Sequence, residues 1–87
     1  MPKSIFSAEY DRFREHLRTV REVAGLSQVE LAERIGWTQT QISKCERGER
    51  RLDLIETRRW CHALGTSFPD FVTQLERKLP PPKKSRK

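Results

Sequence analysis

This sequence lacks most of what a catalytic, secreted or membrane-spanning chain requires. It has two cysteines, Cys45 and Cys61, too few for a disulfide framework or a zinc site. Both fall on the inward faces of helical patterns, where a free thiol packs as a small hydrophobe. No apolar run approaches membrane length and no signal-peptide core is visible, so a reducing cytoplasm is the expected location. The two histidines, His16 and His62, stand alone on different helical patterns, without carboxylates or metal-ligand spacing around them. There is no glycine loop for phosphate and no nucleophile motif. An enzyme is therefore not expected, and no cofactor, metal or small-molecule substrate is implied. The absence of Asn-Gly and Asp-Gly pairs removes the usual signal for tight β-hairpins. A chain of 87 residues is at most one domain, and it buries only about 60–65% of its extended surface.

Charge, by contrast, is abundant. Eighteen Lys and Arg face twelve Asp and Glu, for a net charge of +6. Lys83, Lys84, Arg86 and Lys87 supply four of those charges, which leaves residues 1–82 at only +2. The chain therefore reads as a nearly balanced domain with a basic tail and one local basic patch. That patch is Lys44, Arg47, Arg50 and Arg51, diluted by Glu46 and Glu49.

Capping signals mark five helices. The first starts after Ser7, with Glu9 and Asp11 suited to the positive end of its dipole. Tyr10, Phe13, Leu17, Val20 and Ala24 form its apolar stripe, and Gly25 ends it. The second opens at Ser27-x-x-Glu30 and runs to Ile35. The third opens at Thr38-x-x-Gln41 and ends before Gly48. The fourth opens at Asp53-x-x-Glu56 and runs to Leu64, with Leu54, Thr57, Trp60, Cys61 and Leu64 on its inner face. The fifth starts after Ser67, where Pro69 is tolerated in the first turn, and carries the stripe Phe68, Phe71, Val72, Leu75 and Leu79. Residues 80–87, PPPKKSRK, cannot pack and read as a disordered basic tail. Residues 1–6 read as a flexible N-terminus, which leaves residues 7–79 as the folded unit.

The most informative stretch is QVELAERIGWTQTQISKCER, residues 28–47. Leu31, Ala32 and Ile35 form one apolar face. Gly36 supplies the positive φ of a sharp turn. Ile42 and Cys45, three apart, face back onto the preceding helix. Gln39, Thr40, Gln41, Ser43 and Lys44 are then left to point outward. Two helices crossing steeply about a glycine turn make a helix-turn-helix. A second helix bearing amides, hydroxyls and a cation has the donors and acceptors that base edges require.

From Leu17 to Phe71 the chain resembles the phage repressor/Cro-type, or Xre, helix-turn-helix family. The matching pieces are LRTVREVAGLSQVELAERIG, WTQTQISKCERG and LGTSFPDFV. The resemblance implies an all-α, compact five-helix lambda-repressor-like DNA-binding domain, with its helix-turn-helix at helices 2 and 3. It aligns Gln39, Thr40 and Lys44 with base-contacting positions, and Gln41 and Ser43 lie beside them. It gives Gln28 the task of anchoring a phosphate and bracing the reading helix. Thr38 is a cap that also suits a phosphate, and Arg47 follows as a backbone contact. Arg50 and Arg51 are further candidates to clamp the backbone, or else are solvated loop residues. The family also pairs Arg21 with Glu46, an ion pair between helix 1 and the end of the reading helix. Trp37, Cys45 and Thr57 depart from the usual pattern. Two readings stay open for Trp37, which either shields the turn or offers its indole N–H to a phosphate.

The partner expected is double-stranded DNA, read by a homodimer because one module covers few base pairs. Helix 5 is the expected interface. Either Leu75 and Leu79 lack partners within the chain, or Phe6, Tyr10 and Phe13 cover them. The tail adds phosphate affinity, serves as a localisation run, or merely solubilises. The function expected is a small sequence-specific transcription regulator, most simply a repressor. Phage, restriction–modification, antitoxin and autoregulatory settings all suit so small an architecture. The alternative is a protein-interaction module, such as an antitoxin or adaptor on the same fold. The polar, cationic character of Gln28, Gln39, Thr40 and Lys44 weighs against it.

Overall fold

The computed structural model describes residues 7–81. The expectations placed on residues 1–6, and on the tail from residue 82, lie outside that range. Five helices follow one another: α1 (Ser7–Val23), α2 (Gln28–Ile35), α3 (Gln39–Arg47), α4 (Leu54–Leu64) and α5 (Phe68–Lys78). There is no strand among the described residues.

Each boundary has a local cause. Ser27 caps α2: its hydroxyl accepts from the Glu30 N–H at 3.0 Å, and the Glu30 carboxylate accepts from the Ser27 N–H at 2.8 Å. Those bonds hold the Glu30 carboxyl below its ordinary pKa. Thr38 with Gln41, and Asp53 with Glu56, close reciprocal boxes on α3 and α4. Each box satisfies two backbone groups that a helix end would otherwise leave orphaned. At the other end of α2, Gly36 takes φ +87°, and its N–H donates to the Ala32 carbonyl at 2.8 Å. The next N–H, that of Trp37, reaches the same carbonyl at 2.9 Å. This left-handed cap reverses the chain between α2 and α3 at little cost only because the residue is glycine.

The helices close on one core of Leu17, Val20, Leu31, Ala32, Ile42, Cys45, Trp60, Cys61, Leu64 and Phe71. Trp60 is fully buried, and its indole N–H donates to the Leu17 carbonyl at 3.3 Å. That bond ties α4 to α1 and removes the desolvation cost of the buried N–H. Both cysteines are buried and free. Burial raises the Cys45 thiol and pushes Cys61 up to about 11, so neither is a ready thiolate. α3 packs on α1 and α2, α2 also packs on α4, and α5 packs on α1 and α4.

Three apolar expectations need correction, and one open alternative closes. Leu54, expected on the inner face of α4, is 68% exposed. It is the first residue of that helix and projects beyond the core. Ala24 is exposed because α1 has already ended at Val23. Val72 is 46% exposed, on the outer flank of the α5 stripe. Leu75 does find partners within the chain: it is half-buried against the core, where Phe13 stands edge-on to Phe71 with centroids 6.2 Å apart. Leu79 is likewise half-buried, at the C-cap of α5.

Candidate nucleic-acid interface

The first turn of α3 is fixed from within. The Thr38 hydroxyl accepts from the Gln41 N–H at 3.1 Å, and the Gln41 side-chain oxygen accepts from the Thr38 N–H at 2.8 Å. Gln41 is thereby half-buried and turned back on its own cap, rather than free to point outward. Gln39, Thr40 and Lys44 are exposed, and Ser43 is half-exposed. Ile42, Cys45 and Glu46 are the buried residues of the same helix.

A chain of hydrogen bonds sets the attitude of this surface. The Gln39 amide donates to the Gln28 side-chain oxygen at 2.6 Å. The Gln28 amide donates to Glu46 Oε1 at 2.9 Å. Arg21 meets the same carboxylate through Nε at 2.6 Å and Nη2 at 3.1 Å, and its Nη1 donates to the Leu26 carbonyl at 2.8 Å. The bidentate Arg21–Glu46 pair is almost dry, with side chains 9% and 5% exposed. The first exposed residue of α3 is thus linked, through α2 and the end of α3, to the last turn of α1. Sequence reasoning missed Arg14, whose Nη1 donates to the Glu46 backbone carbonyl at 3.2 Å. Its position seven residues before Arg21, two turns along the same face of α1, was the available signal.

The basic patch divides on inspection. Exposed Arg47 pairs with Glu49 at 2.9 Å and also reaches the Ser43 hydroxyl. Such exposed pairs are worth little and exchange readily. Arg50 is committed inward: it pairs with Glu56 at 2.9 Å, approaches Cys45 Sγ at 3.6 Å and lies 4.8 Å over the Trp37 ring. Trp37 is half-buried and stands edge-on to Trp60 at 6.4 Å. Arg51 lies 4.2 Å over the Tyr10 ring. Lys44 has no ion-pair partner among the described residues. α3 therefore offers amides, hydroxyls and one free cation on a helix whose other face is locked.

A helix-turn-helix domain family model matches residues 12–73. An XRE-family like protein from Pseudomonas syringae pv. tomato is 39% identical over 87% of this chain and 93% of its own, with a TM-score of 0.78. The chain belongs to the XRE family of helix-turn-helix proteins. As a member of that family it is a DNA-binding transcription regulator and not an enzyme. The clp gene regulator ClgR from Corynebacterium glutamicum is 26% identical over 88% of this chain and 79% of its own, with a TM-score of 0.72. A restriction-modification controller protein, C.Esp1396I, solved as a tetramer with its natural 35 base-pair operator, shares the fold at a TM-score of 0.72. It is 22% identical over 87% of this chain and 96% of its own. No curated protein matches the sequence. Among the described residues of this XRE-family chain, no helix is long and apolar enough to cross a membrane.

Proposed function

We propose that this XRE-family regulator is a repressor that acts as a homodimer on a (pseudo)palindromic operator in the cytoplasm. The observation that carries the reading is the exposed first turn of α3, held by the Gln39–Gln28–Glu46–Arg21 chain. With one amide N–H spent on Gln28, Gln39 keeps its oxygen to accept from adenine N6–H and a second N–H to donate to adenine N7 in the major groove. The Thr40 methyl suits a thymine methyl, and Lys44 suits guanine. Ser43 and Gln41 border that reading edge. Gln28, Thr38, Trp37 and Arg47 take backbone phosphates, with Arg47 exchanging Glu49 for the phosphate. Such contacts position the domain, whereas the base edges specify it. Arg50 and Trp37 brace the turn as well, since each is engaged inside the chain.

Dimerisation uses the apolar surface beside α5. Leu54 and Val72 are 68% and 46% exposed, on the wall of a concavity of about 250 Å³ lined also by Phe13, Leu52, Phe71 and Leu75. A bound dimer excludes polymerase by occupying the promoter, and its occupancy follows its concentration. Selection from randomised duplexes tests this reading. The expected result is a palindrome with half-site centres one helical turn, ~34 Å, apart, lost in Gln39→Ala/Thr40→Ala. Binding that is only sequence-blind and salt-sensitive overturns it.

A further inference from the structure

Carboxylates meet many arginines of this surface. Arg12, Arg14, Arg18, Arg21, Arg47 and Arg50 each lie in an ion pair. Among the described residues Arg34, Arg51, Arg58, Arg59 and Arg77 do not, and of these Arg34, Arg58 and Arg59 converge with His62 on one groove between α4 and the end of α2. The groove encloses about 330 Å³ over Ile35 and Ala63, and no carboxylate lines it. The Arg34 Nη1 donates to the Ala63 carbonyl at 3.0 Å. That bond satisfies a carbonyl near the end of α4, and it fixes one guanidinium at the groove wall with its other N–H groups free. It does not account for Arg58 and Arg59, which are exposed beside it. Arg58 and His62 continue into a second lobe of about 280 Å³, with Thr66, Ser67, Phe68 and Pro69. No residue of α3 lines either lobe.

Like charges gathered in one concavity repel each other and weaken the compact state unless an anion answers them. We propose that this groove docks an acidic, partly apolar segment of a partner protein. Its carboxylates pair with the Arg34, Arg58 and Arg59 guanidinium forks, whose planar geometry suits them. Its apolar side chains rest on Ile35, Ala63, Phe68 and Pro69. That mixed lining selects a peptide over a phosphodiester backbone, which has no apolar side chains to offer. The contact is separate from the base-reading helix, so the chain can hold the partner while bound to an operator. Exposed charge pairs of this kind favour rapid, salt-sensitive association over tight binding.

The test titrates a synthetic peptide of alternating glutamate and leucine into the isotope-labelled full chain and follows amide shifts. Shifts should gather at residues 34–35, 58–63 and 66–68. Arg58→Glu/Arg59→Glu should weaken binding roughly tenfold or more, as loss of two charge contacts requires. Arg77→Glu, on exposed α5 outside both lobes, should leave it unchanged. Should the reversed pair fail to fold, Arg58→Gln/Arg59→Gln gives the same comparison without reversal. Shifts confined to the basic tail or to α3 would overturn the proposal. So would equal weakening by Arg77→Glu, or displacement of the peptide by a duplex lacking the operator, which would make the groove a phosphate contact.

Discussion

Glu46 lies where the buried ion pair of the fold meets the proposed reading surface. Its carboxylate accepts two bonds from Arg21 and one from Gln28, in a site nearly free of water. Removing one partner of a buried pair leaves the other charged and unanswered, at a cost of about 3–5 kcal/mol. Glu46→Ala should therefore lower the unfolding free energy by that amount in denaturant melts. Arg21→Met/Glu46→Leu should recover most of the loss, because no buried charge is left alone. Operator affinity should stay reduced in both variants, since Gln28 and hence Gln39 lose their anchor. The decisive result is a folded double variant that binds poorly. Full melting stability and full affinity in Glu46→Ala would reject both halves of the account. The family resemblance supplied the Arg21–Glu46 pairing from the sequence. The Gln28–Gln39 bond was not legible, because it depends on how two helices cross. Nor was the position of Arg50, whose inward turn follows from the open face of Trp37.

At the scale of the element, chemistry confined to a few neighbouring residues was easy to read. Three capping boxes and the glycines that end α2, α3 and α4 lie where their spacing places them. Periodicity failed at helix ends, where Leu54 and Ala24 have the right spacing but no core opposite them. It also gave no hint that α5 is held to α1 by a histidine. His16 is 2% exposed, and its Nδ1 lies 3.0 Å from the Lys78 ammonium, which donates to it. Its Nε2 is buried without a hydrogen-bond partner, and the ring lies 4.6 Å from Phe71. Burial first, and the Lys78 charge second, lower its pKa below the ordinary 6.5. The folded chain thus resists protonation more than the unfolded chain does. The His16 contribution is complete above pH 6.5 and is lost as pH falls from there through the depressed folded value. Each tenfold preference for the neutral ring amounts to about 1.4 kcal/mol. Urea melts at stepped pH should show wild-type stability dropping below pH 6.5 relative to His16→Met, with a smaller drop in Lys78→Met. Parallel profiles for wild type and His16→Met would exclude the histidine as the cause.

For the molecule as a whole, the unresolved balance is between the apolar surface near α5 and the water it faces. Exposed Leu54 and Val72 border a concavity whose walls also contain Phe13, Phe71 and Leu75. A contiguous apolar surface rimmed by polar residues is characteristic of an interface, and a two-fold partner would present the same surface in return. Leu54→Glu/Val72→Glu places charge on both exposed flanks without entering the core, so the monomer should keep its melting behaviour. Sedimentation should then show a monomer where wild type is a dimer. The effect on DNA should depend on the site offered. Linking two half-site contacts raises overall affinity by about 10²–10⁴-fold, so affinity for the palindrome should fall on that order. Affinity for a single half-site should stay at the wild-type value, because the reading helix is untouched. Equal losses on both duplexes would place the lesion in the fold, and a variant that remains dimeric would move the interface elsewhere on the surface.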